Sequence, residues 1–123
     1  MKWNIDHVQL AGPPQCEPVA RAYYANLLGL QEIPKLGETR KSGGLWFQAN
    51  NIEIHIGIEK NFLPAKKAHI ALCGSSIEQI TRLANLLQNQ QYPVRWDHKI
   101  PSIKRFFTED PFGNRIEILT KTF

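Results

Sequence analysis

The chain has 123 residues, 42% of them hydrophobic and 21% charged, with a net charge of +4 and a pI near 9.2. That length suits one domain able to bury a core without disulfide staples, and the composition is that of an ordinary globular protein. No apolar run nears the roughly 20 residues of a membrane span, and Met1-Lys2-Trp3-Asn4-Ile5-Asp6 is no signal peptide, so the expected location is cytoplasmic.

Residues 4–11 run apolar or alternate, and read as a strand. Residues 17–28 read as a helix. Pro18 sits in its first turn, where a missing N–H costs nothing; Ala20, Tyr23, Tyr24 and Leu27 share one face; Gly29 caps the end. Three strands follow, near 30–35, 44–49 and 52–58. Gly37 to Gly44 reads as a connector, with a lid as the alternative. Residues 68–73 read as another strand and 76–89 as a second helix. Ser76 and Gln79 form its capping box, and Ile80, Leu83, Ala84 and Leu87 its apolar stripe. Strands near 93–98, 104–109 and 114–121 complete the chain. Asn50-Asn51 and Asp110-Pro111-Phe112-Gly113 supply hairpin turns.

The second half repeats the first. Ile5-Asp6-His7-Val8-Gln9-Leu10 is matched by Lys67-Ala68-His69-Ile70-Ala71-Leu72, with His7 and His69 62 positions apart. At the same offset Ile54 falls on Ile116 and His55 on Glu117. The fold class is therefore α+β, two tandem βαβββ modules at about 1–62 and 63–123 making one domain over 1–123.

Side chains alternate across a strand. Val8 and Leu10, Ile54 and Ile56, Ile70 and Leu72, and Ile116 and Ile118 make aliphatic faces that suit packing under helices. The opposite faces carry His7, then His55 or Glu53, then His69, then Glu117. Four such groups facing a sheet interior are costly unless paired, and a divalent metal supplies a partner. Imidazoles with a carboxylate suit Zn, Ni, Fe or Mn, and leave positions open for water or substrate. His98, in Trp96-Asp97-His98-Lys99, lies outside this pattern and reads as a surface residue. Cys16 and Cys73 have neither zinc nor redox spacing and read as reduced thiols, Cys73 in a packing role.

Tyr23-Tyr24-Ala25-Asn26-Leu27-Leu28-Gly29-Leu30 resembles the end of the first helix in the vicinal oxygen chelate superfamily, which includes glyoxalase I, bleomycin resistance proteins and extradiol dioxygenases. Glu109-Asp110-Pro111-Phe112-Gly113-Asn114-Arg115-Ile116-Glu117-Ile118 resembles its final hairpin, and Ala68-His69-Ile70-Ala71-Leu72 the strand opening its second module. The resemblance covers essentially the whole chain. It implies half-open, barrel-like sheets with helices on the outer face, a metal in the cleft, and ligands on the first and last strands of each module. His7, His69 and Glu117 match those positions. The fourth is His55 or Glu53. A two-residue turn at Asn50-Asn51 pairs Trp46 with His55, and a four-residue turn at Asp110–Gly113 pairs Phe106 with Glu117, which favours His55. Glyoxalase I carries Glu at that place, so His55 departs from its pattern.

The implied function is a metal-dependent enzyme of the glyoxalase type, in which metal ligands His7, His55, His69 and Glu117 chelate vicinal oxygens of a small anionic substrate. Glu117 or Glu53 moves the proton, and Arg115 binds an acidic group of the substrate, with a plain surface role as its alternative. The alternatives are an extradiol-type dioxygenase and a non-catalytic protein that sequesters a small molecule. Basic residues are scattered and no nucleic-acid module appears, so neither nucleic acid nor membrane is an expected partner. A homodimer is implied by the resemblance.

Overall fold

Both halves lay down the same order of elements. The computed structural model describes residues 1–121. The first unit, Met1–Leu63, holds β1 (His7–Gly12), α1 (Glu17–Arg21), which runs on as a π-helical stretch (Ala22–Leu27), β2 (Gln31–Ile33), a 3-10 turn (Gly37–Lys41), β3 (Leu45–Ala49) and β4 (Ile52–Ile58). The second unit, from Pro64 onward, holds β5 (His69–Cys73), α2 (Ile77–Asn89), β6 (Arg95–Asp97), β7 (Ile103–Glu109) and β8 (Arg115–Lys121). Each makes an open four-stranded mixed sheet, ordered β1-β4-β3-β2 and β5-β8-β7-β6. In each, the first strand pairs with the last in parallel, and the remaining pairs are antiparallel. The fold is the expected α+β arrangement of two βαβββ modules.

The registers match as well. His7 lies opposite Glu53 across β1 and β4, and His69 lies opposite Arg115 across β5 and β8. His7 and His69 are 62 positions apart, and so are Glu53 and Arg115. The equivalent of Glu117 is therefore His55, while Glu53 corresponds to Arg115.

Each sheet hides its aliphatic face under its own helix. In the first unit Phe47, Ile54 and Ile56 are buried with Ala20, Tyr23 and Tyr24. Tyr24 lies against Phe47 with ring centroids 5.5 Å apart. The sequence pattern of one α-helix over 17–28 holds only to Arg21. Beyond it the turn widens, and Leu28 N donates to Tyr23 O rather than to Tyr24 O. A wider turn lets the adjacent bulky rings of Tyr23 and Tyr24 both reach the interior, with exposures of 1% and 0%. In the second unit Ile80, Ala84 and Leu87 of α2 lie buried, as do Phe106, Ile116 and Ile118 of the sheet they cover. Fully burying Ile80 and Leu87 contributes about 1.5–3 kcal/mol each. Half of the expected capping box is present: the Ser76 side chain accepts from Gln79 N at 3.1 Å, while Gln79 Oε1 accepts from Ser75 N at 2.6 Å.

The segment 37–44 is fastened at its base. Lys35 Nζ donates to the carbonyls of Ser42 and Gly43, and Gly44 N donates to Glu17 Oε2 at 3.0 Å. Gly44 has φ +102°, and a Cβ there would stand 2.2 Å from Ile56 O, so only glycine fits.

The two hairpins differ. Ala49 pairs with Ile52, so Asn50-Asn51 is the expected two-residue turn, with Asn50 at φ +56°. The second turn is one residue longer than expected. Glu109 pairs with Arg115, leaving five residues, 110–114, outside the ladder. Asp110 builds this turn. Its Oδ1 accepts from Phe112 N (2.9 Å) and Asn114 N (2.8 Å), and its Oδ2 from Asn114 Nδ2 (2.9 Å). Glu117 therefore faces Phe107, not Phe106, while the Trp46–His55 pairing stands as expected.

Candidate metal site

In the first unit the polar face of the sheet carries a stack of three rings. Trp46 and His55 lie 4.0 Å apart at 4°, and His7 covers the other side of His55 at 4.2 Å and 11°. Strand pairing sets Trp46 directly against His55, and the parallel β1 brings His7 up diagonally. His55 is thereby 5% exposed although it faces away from the helix. Its Nε2 lies 2.9 Å from Glu53 Oε1, so the two candidates for the fourth ligand position touch one another. His7 Nδ1–H donates to Asp6 Oδ2 at 2.9 Å. A proton committed to Nδ1 leaves a lone pair on Nε2, the arrangement that prepares an imidazole for metal.

In the second unit β5 and β8 bring His69 and Glu117 together, with Nε2 and Oε1 3.1 Å apart. Glu117 is buried, at 5% exposure. The tautomer of His69 follows from its other nitrogen. Nδ1 lies 2.9 Å from Lys67 O, a carbonyl that only accepts, so Nδ1 carries the proton. Its Nε2 faces a carboxylate oxygen, which likewise only accepts when ionised. Two acceptors at that distance are satisfied only by a proton or a cation between them. The donor set thus fits a divalent metal. Within each unit, among the described residues, no three His, Cys, Asp or Glu side chains gather at one point; the donors come in pairs.

Around that pair the same face of the sheet carries three arginines. Arg95 donates to both carboxylate oxygens of Glu109. Arg105 donates from Nε and Nη2 to Asp97 Oδ1 at 3.1 and 3.0 Å, and from Nη1 to Glu117 Oε2 at 3.3 Å. These bonds, to Asp97 first and then to Glu117, push the Arg105 pKa up. Asp97 is held low by the Lys99 backbone N–H and by Arg105. Arg115 lies over Phe107, 4.4 Å from the ring centroid. Among the described residues it pairs with no carboxylate, because Glu109 across from it is taken by Arg95.

Arg105 and Asp97 went unrecognised in the sequence. The expected four-residue turn placed Phe106 on the face of Glu117, which turned Arg105 to the other side. A slip of one residue inverts every side chain of a strand. His98 is exposed, as expected. Neither Cys16 nor Cys73 is in a disulfide; Cys16 is buried, whereas Cys73 is exposed and does not take the packing role expected of it.

No family model matches the chain, and no curated protein does. Solved structures do. A protein from Bacillus anthracis described as of the glyoxalase family shares 46% identity, covering 99% of this chain and 98% of its own, with a TM-score of 0.90. A genomically encoded fosfomycin resistance protein from Listeria monocytogenes has a TM-score of 0.80 at 15% identity, covering 100% of this chain and 97% of its own. A lactoylglutathione lyase from Agrobacterium tumefaciens has a TM-score of 0.70 at 15% identity, over 95% and 92%. The last two share the fold. The first is close enough over nearly the whole length to decide kinship: this chain belongs to the glyoxalase family, within the vicinal oxygen chelate superfamily.

Proposed function

We propose that the chain is a small metal-dependent enzyme of the glyoxalase type, with His7, His55, His69 and Glu117 as ligands of a divalent ion such as Zn, Ni, Fe or Mn. One observation carries the reading: buried Glu117 turns Oε1 to within 3.1 Å of His69 Nε2, while His69 Nδ1 is turned to Lys67 O, so Nε2 and Oε1 converge on one point of the sheet. His7 is prepared in the same way by Asp6. The register, which makes His55 the equivalent of Glu117, favours His55 over Glu53 as the fourth ligand. The ion supplies Lewis acidity toward the vicinal oxygens of a substrate.

The chain's own groups supply the rest. Arg115, which pairs with no carboxylate among the described residues, takes an anionic group of a small substrate. Phe107 beneath it fixes the guanidinium plane. Glu117, once displaced from the ion, would accept and return the substrate proton, with Glu53 beside His55 as the alternative. The partner is a small molecule rather than nucleic acid. No helix among the described residues is long and apolar enough to cross a membrane. The working form is a homodimer located in the cytoplasm.

The test is elemental analysis of protein purified without a metal-affinity tag, beside His69→Ala. About one Zn, Ni or Mn per chain, lost in the variant, is the expected result. Iron, with turnover of a catechol, moves the reading to a dioxygenase. If neither sample holds or takes up a divalent ion, the enzyme reading falls and a non-catalytic binding protein remains.

A further inference from the structure

Glu117 has two carboxylate oxygens, and each meets a different neighbour. Oε1 faces His69, and Oε2 accepts from Arg105 Nη1 at 3.3 Å. Left to itself, a carboxylate at the end of a glutamate turns freely, and either oxygen serves either neighbour. Arg105 removes that freedom, because it is itself held from two other sides. Its Nε and Nη2 both donate to Asp97 Oδ1 on β6, and its guanidinium carbon lies 5.0 Å from the centre of the Phe107 ring. Asp97 in turn accepts from Lys99 N at 3.1 Å. Contacts run across all four strands of the sheet: hydrogen bonds from Lys99 through Asp97 and Arg105 to Glu117, then the 3.1 Å approach of Glu117 to His69, whose Nδ1 meets Lys67 O.

Most of these side chains are out of water. Arg105 is 16% exposed, Asp97 18% and Glu117 7% at the side chain. The contacts are therefore not the loosely held, screened ion pairs of a protein surface. The shape of the guanidinium matters too. Three of its nitrogens reach carboxylates on the strands to either side of β7, a span that a planar fork bridges and a lysine ammonium, a single point on a flexible stem, does not.

We propose that Arg105, backed by Asp97, is a positioning residue for the metal site: it anchors Glu117 by Oε2 and so aims Oε1 at His69 Nε2. Its consequence for ion affinity rests on the metal reading above, whereas the anchoring itself belongs to the ion-free chain. The role extends to no other member of the face. Arg95 spends its donors on Glu109, and Arg115, among the described residues, lies over Phe107 without a carboxylate partner.

The experiment is a cobalt(II) titration of the full-length, ion-free protein, reading the dissociation constant and the visible absorption spectrum. Arg105→Met is expected to weaken cobalt binding by about tenfold to a hundredfold, the usual cost of losing a group that orients a ligand, and to alter the spectrum. Arg105→Lys should recover part of the affinity. Asp97→Asn should cost less than Arg105→Met, because it loosens Arg105 without touching Glu117. Should Arg105→Met fail to fold, the lysine and asparagine variants carry the comparison. Variants that fold like the wild type and keep its affinity and spectrum overturn the proposal. A wild-type chain that binds no cobalt overturns the metal reading alone. The 15N resonances of the His69 ring in ion-free protein then decide: a shift in Arg105→Met at constant pH supports the anchoring, and unchanged resonances overturn it.

Discussion

Glu17 shows how one side chain can hold a loop by charge. Its Oε2 accepts the Gly44 N–H, and this bond, more than nearby Lys35 and Arg21, holds its pKa below the ordinary glutamate value. A carboxyl with a depressed pKa in the folded state adds stability above its unfolded pKa, and loses it as pH falls through that value and below. The stability gap between the wild type and Glu17→Gln, measured by urea unfolding at pH 7, should therefore close as pH falls below about 4. A gap that stays constant down to pH 3 would show that the charge contributes nothing. At the same scale, the polar faces that carry His7, His69, Glu117 and the pair Glu53 and His55 were legible in the sequence because each stands opposite an aliphatic face, and a period of two needs no knowledge of the turns; preferring His55 over Glu53 took the turn at Asn50-Asn51 as well. Arg105 was not legible. Its side depends on the count of residues in the hairpin that joins β7 to β8, and the Asp110 side chain, by binding the amides of Phe112 and Asn114, absorbs one residue more than the expected turn.

Among the elements, α2 is the one in which sequence and structure agree most fully. Its apolar stripe, its Ser76 cap and its length were all readable, since a regular helix obeys a single period. Leu87 sits in that stripe with no exposed surface. Leu87→Ala should cost about 2–5 kcal/mol in chemical unfolding, the range for emptying a packed leucine site. A loss under about 1 kcal/mol would mean that α2 closes over the gap and is less tightly packed than its burial implies. The first helix behaved differently. Apolar spacing at Ala20, Tyr23, Tyr24 and Leu27 suits an α-helix or a widened turn equally well, so the change at Ala22 leaves no signature in the pattern. Only the demand to bury two neighbouring tyrosines decides it, and that demand arises from packing on Phe47.

At the scale of the molecule, the repeat was readable because both halves keep one spacing, and the sheets keep that spacing in their pairing. The two copies are nonetheless chemically unlike. Equivalent positions hold different groups: His55 where the second unit has Glu117, and Glu53 where it has Arg115. The first unit is therefore the one that stacks its rings, and it contains a reporter of its own state. The chain has three tryptophans. Trp3 and Trp96 are 84% and 38% exposed, whereas Trp46 lies flat on His55 at 4.0 Å. An imidazole that gains a proton or an ion becomes an electron acceptor for an excited indole stacked on it. In a Trp3→Phe/Trp96→Phe variant, the remaining emission should dim when a divalent ion is added, and not when His55→Ala is introduced as well. Emission indifferent to the ion would place His55 outside the ligand set. With His55 as a ligand, Trp46 would serve as an unlabelled optical gauge of occupancy, readable in dilute solution before any substrate is known.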